Sequence, residues 1–72
     1  MSVTPLHLHP NTLQLQELVR KYSLSLRQLA EITSRSMPCV KAWHSGRHRT
    51  IPTDTLALLE IRLQELRDKG NL

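Results

Sequence analysis

The 72-residue sequence predicts an all-α fold, a compact domain of four to five helices. Three observations carry that expectation. Leucine recurs at helical spacing in separate stretches, Gly46 and Gly70 are the only glycines, and β-branched residues form no long runs. Phenylalanine is absent and the aromatics are Tyr22 and Trp43 alone, so the core has to be built from Leu, Ile, Val and Ala. A chain of this length holds one small domain with a modest core, which makes help from a second subunit an expectation.

Residues 1–10 read as a flexible arm bracketed by Pro5 and Pro10, because Val3, Leu6 and Leu8 fit neither helical nor long-strand spacing. Residues 11–70 form the domain. Asn11 or Thr12 can cap the first helix, in which Leu15, Leu18, Val19 and Tyr22 fall on one face. Ser23 and Ser25 favour a turn, so this helix ends near Tyr22. Ser25 and Gln28 have capping-box spacing and open a second helix over about 26–33. Two turns of helix do not persist alone, so Leu26, Leu29, Ala30 and Ile32 must pack on neighbours. Thr33-Ser34-Arg35 breaks the pattern.

A third helix, about 37–45, starts at Ser36 or Met37, because Pro38 is tolerated in a first turn and disfavours helical geometry in the residue before it. Val40 and Trp43 share one face with Cys39 beside them; Pro38, Lys41, Ala42 and Ser45 share another, with Met37 at its tip. Gly46 is placed to end this helix as a left-handed cap. Pro52 and Thr53 start a fourth helix, about 53–69, with Gly70 as terminator. Leu56, Leu59, Leu63 and Leu66 form one apolar strip on it, and Ala57, Leu58 and Ile61 a second. One strip faces the domain core, and the other is free for a second subunit.

Charge is concentrated. Residues 35–52 carry Arg35, Lys41, Arg47 and Arg49 against no acid, with His44 and His48 among them; the flanking segments nearly balance. A basic patch of this kind suits a polyanion, nucleic acid first. Cys39 is the sole cysteine, which excludes an internal disulfide and fits a reducing compartment. No apolar run approaches membrane-spanning length, and the first ten residues lack the basic start of a secretory signal, so a cytoplasmic, nucleoid-associated protein with no membrane contact is expected. His7 and His9, or His44 and His48, have spacings a metal can use, but no thiolate or carboxylate cluster joins them. No metal, no cofactor and no enzymatic activity are expected, since Ser, His and Asp meet at no nucleophile turn.

Residues 26–45 resemble the helix-turn-helix of the lambda-repressor-like (Cro/CI, XRE-type) family of phage and bacterial regulators. The resemblance rests on Leu29 and Ala30 in the second helix, Val40 in the third, and Trp43 followed by Ser45-Gly46. The stretch GRHRTIP, leading into the fourth helix, extends it, and it covers about residues 12–66. Ser34 stands where the family usually has glycine, which predicts a longer or differently shaped turn; Leu26 stands where it often has a phosphate-binding glutamine. The resemblance implies that the third helix enters the major groove, with Arg35, Ser36, Met37, Pro38, Lys41 and Ala42 towards the bases. It implies phosphate contacts from Arg27, Gln28, Ser45, Arg47, His48 and Arg49. Met37, Pro38 and Ala42 suit thymine methyl groups, and Lys41 suits guanine O6 or N7.

The function expected is that of a sequence-specific transcription regulator, a small homodimeric repressor on a palindromic operator in double-stranded DNA, blocking polymerase at a promoter, often its own. Leu56, Leu59 and Leu63 are expected mainly in the core, and Leu58, Ile61 and Leu66 at the dimer contact, although the two strips are interchangeable on sequence grounds. An antitoxin-type protein, binding both operator DNA and a toxin, is the alternative. A pure protein-interaction adaptor does not account for the acid-free basic window.

Overall fold

Four helices build the fold of the computed structural model, which describes residues 8–47 and 49–70: α1 (Pro10–Lys21), α2 (Leu26–Thr33), α3 (Met37–Ser45) and α4 (Thr53–Asp68). No strand occurs among the described residues. α1 and α2 each pack against both α3 and α4. Leu15, Leu29, Ala30, Val40, Trp43, Leu56, Leu59 and Leu63 form the shared core, joined by Leu24 and Ile51. The last two lie in connections between helices, where periodicity gives no warning that a side chain turns inward. Leu18, Val19 and Tyr22, on the predicted apolar face of α1, are half-buried against this core.

The start of α1 differs from the sequence expectation. Pro10 belongs to the helix rather than to the arm, and His9, not Asn11 or Thr12, is the N-cap, its Nδ1 accepting from the Asn11 N–H at 3.0 Å. Proline's fixed φ suits the first helical position, which moves the boundary back by a residue. Asn11 has another task. Its side-chain amide donates to Ile51 O and Thr53 Oγ1, both at 3.0 Å, and so ties the start of α1 to the entry of α4. Residues 1–7 of the expected arm lie outside the described residues.

The capping box forms as read: Ser25 Oγ accepts from the Gln28 N–H, and Gln28 Oε1 accepts from the Ser25 N–H. The ends of α1 and α2 share a less expected device. Ser23 and Ser34 both adopt left-handed backbone, φ 53° and 58°. After each, the chain donates back five residues, Leu24 N–H to Val19 O at 2.9 Å and Arg35 N–H to Ala30 O at 3.0 Å. Both ends are Schellman caps built on serine where glycine is the usual choice. Ser34 thus keeps the turn short, with three residues between α2 and α3, and the expected lengthening does not occur.

Left-handed geometry costs an L-residue about 1–2 kcal/mol, part of which glycine gives back through the freer unfolded chain. Ser34→Gly is therefore expected to raise stability by about 0.5–1 kcal/mol. Thermal unfolding checks this, and a lower melting temperature would mean that the serine hydroxyl contributes more to the turn than its backbone strain removes.

Candidate nucleic-acid interface

The turn aims α3. Ser36 is its N-cap, with Oγ accepting from the Cys39 N–H at 3.4 Å, and Pro38 occupies the second helical position. Val40 and Trp43 face the core, Trp43 only 4% exposed. That fixes the rotation of the helix about its axis. Met37, Pro38, Lys41 and Ser45 then face outward, with Ala42 half-buried beside them. The position of α3 along the domain is set by α1, since Gln16 Nε2 donates to His44 O at 2.7 Å.

Of the six residues expected to face bases, Arg35, Ser36, Met37, Pro38 and Lys41 are exposed, and Ala42 presents only part of its methyl group. The Ser36 hydroxyl accepts from the Cys39 N–H and keeps its own proton for a further partner. Of those expected at phosphates, Arg27, Arg47 and Arg49 are exposed and His48 lies outside the described residues. The Gln28 side-chain carbonyl is committed to the capping box, which leaves its NH₂ as the group able to reach outward. The Ser45 hydroxyl donates to Ala42 O at 3.2 Å and accepts from the Arg47 N–H at 3.3 Å, so it serves the helix end first.

Gly46 ends α3 at φ +72°, with its N–H donating to Ala42 O at 2.8 Å. A Cβ there would stand 2.9 Å from both Thr12 Cγ2 and Leu8 Cδ2. The helix thus reverses directly against α1, and the basic loop leaves from this contact. Thr12 is 1% exposed and its hydroxyl has no hydrogen-bond partner among the described residues. Thr12, expected only as a cap, stands in register with Leu15 and Val19 on the buried face of α1 but is polar, and Gln16 lies off that face; apolar periodicity therefore singles out neither.

Cys39 is half-buried, with Arg49 Nη1 3.9 Å from its Sγ. No group of three or more His, Cys, Asp or Glu capable of holding a metal occurs among the described residues. No helix among them is long and apolar enough to cross a membrane. On α4, Leu56, Leu59 and Leu63 are buried, whereas Leu58 is 63% and Ile61 55% exposed, and Leu66 is half-buried. Of the two strips, the core takes the one containing Leu59 and leaves the one containing Ile61 in solvent. Comparison with known proteins returns no match, whether to a family model, a curated protein or a solved structure.

Proposed function

We propose that this chain is a sequence-specific DNA-binding regulator of the lambda-repressor-like helix-turn-helix kind, in which α2 and α3 form the motif and α3 lies in the major groove. One observation carries the reading: the exposed face of α3 combines Lys41 with the small apolar surfaces of Met37 and Pro38, inside a stretch that has four cations and no acid. Lys41 donates to a guanine edge, and Met37 and Pro38 meet thymine methyl groups. Arg47 and Arg49 neutralise phosphates beside the groove and fix the register of the helix on the duplex. Few fork-shaped donors point at the bases, so shape and apolar contact supply much of the discrimination. Occupying a promoter in this way would block polymerase there, which is the mechanism we propose.

Lys41→Ala tests the reading. It is expected to weaken binding to the preferred duplex by about 1–3 kcal/mol while changing binding to a random duplex much less, both titrated at one salt concentration. Equal losses on the two would place Lys41 at the backbone.

A single short helix covers few base pairs, and a two-fold dimer doubles the contacts with α3 repeated about one DNA turn away, roughly 34 Å. Leu58 and Ile61 are the apolar surface available to such a contact. Leu58→Glu with Ile61→Glu is expected to give a folded monomer with weak affinity for the palindrome. Sedimentation of the unmodified protein without DNA checks the premise. A monomer that binds a single half-site would remove the dimer from the proposal and leave this strip to a different protein, as in an antitoxin.

A further inference from the structure

Arg35 and Arg49 belong to different connections, one before α3 and one after it, yet both border a single cleft of about 370 Å³. Cys39, half-buried, Trp43, almost fully buried, Thr50 and Pro52 complete its lining. The Arg49 guanidinium leans over the Cys39 thiol at 3.9 Å, a weak contact that a charged acceptor would displace. No carboxylate borders the cleft, and none occurs anywhere between residues 35 and 52. Two arginines therefore line a concavity whose own lining supplies no counter-charge.

We infer that this cleft seats one phosphate group of a nucleic-acid backbone, held jointly by Arg35 and Arg49 above the Cys39 thiol. Guanidinium forks match phosphate oxygens, and two of them from different connections, meeting beside the first turn of α3, fix where the strand crosses the helix. Arg35 then positions the duplex and carries no base preference, which changes the role the resemblance gives it. Cys39 becomes the covered residue beneath the strand. The inference rests on the DNA reading above and concerns one contact within it.

The test uses Cys39 as reporter, since it is the only thiol in the chain. Binding of a short random-sequence duplex is measured first by fluorescence anisotropy; absence of binding there would count against the DNA reading itself. Alkylation of Cys39 by iodoacetamide is then timed with and without that duplex, and with inorganic phosphate at matched ionic strength. With bound duplex present at about ten times Kd, the rate is expected to fall about tenfold. Unchanged alkylation under a bound duplex overturns the seat, and protection by inorganic phosphate but not by duplex overturns its assignment to a nucleic-acid strand. Arg35→Ala, Arg49→Ala and the double variant, all at exposed positions, give the second readout. One shared phosphate predicts that the double variant lowers the salt slope by about 0.9, with each single variant losing less. A loss of about 1.8 would mean two separate phosphates, and a loss confined to a preferred sequence on Arg35→Ala would return that residue to the bases.

Discussion

Trp43→Ala is expected to lower stability by about 3–5 kcal/mol, a large share of what a domain of this size has. A 72-residue domain is held together by about 4–11 kcal/mol. The indole is 4% exposed and packs in the same cluster as Leu15, Val40 and Leu63, so its removal opens a cavity where α3 meets the rest of the core. The melting temperature should fall by at least about 12 °C. Trp43 lies on the helix that the DNA reading sends into the groove, and a stacking role on a base is the obvious rival for a lone tryptophan there. The two roles separate cleanly. A stacking residue would lose DNA affinity at unchanged stability; a core residue loses stability first. Trp43→Phe keeps most of the volume and is expected to recover the greater part of the melting temperature.

Gly46→Ala follows, at about 2–5 kcal/mol, the sum of left-handed backbone strain and overpacking. The added methyl group would meet Thr12 Cγ2 and Leu8 Cδ2 at 2.9 Å. The Leu8 side chain can swing aside. Thr12 cannot, because it is β-branched, buried and held in the first turn of α1. Thermal unfolding should show a loss of about 8 °C or more. A double-mutant cycle divides the cost between its causes. In a Thr12→Ser background, which removes Cγ2, the penalty of Gly46→Ala should shrink, and the part that persists measures the backbone strain. A penalty unaltered by Thr12→Ser would leave φ alone responsible. DNA affinity should fall along with stability, because Arg47 and Arg49 leave from this turn.

Much of the fold is legible in the residues. The spacing of Leu15, Leu29 and Leu63 against polar neighbours marks the core faces, and Ser25 with Gln28 marks the start of α2. Pro38 and Gly46 bracket α3, because each has a conformational requirement that few other residues meet. The strip left exposed on α4 is only half legible: two apolar strips can be counted, but which one the core takes depends on how α1 and α2 sit against the helix. What periodicity misses lies outside helix faces. Leu24 and Ile51 enter the core from connections, His9 caps α1 with a ring nitrogen, and Asn11 bonds across to a residue forty positions away. Ser34 shows a different limit. Sequence preference disfavours serine in a left-handed turn, but two backbone hydrogen bonds and the packing of α2 on α3 hold it there.

The candidate interface is legible in a similar measure. The acid-free window and the outward position of Lys41 follow from residue types and helical spacing; the capping role of Ser36 is seen only in the structure. The convergence of Arg35 and Arg49 on one cleft does not, since it depends on how the chain returns after Gly46 to lie beside the start of α3. Ala42 and Ser45 are likewise less available than their spacing suggests, one partly covered and the other engaged at the helix end.

The central claim is that two copies of α3 read a symmetric site in duplex DNA. Selection of bound duplexes from a random-sequence pool, followed by sequencing, addresses it most directly. The account predicts enrichment of a palindrome with half-sites about 10 base pairs apart, centre to centre, protected as a pair in a footprint. A folded protein that enriches no sequence and protects no duplex would contradict it.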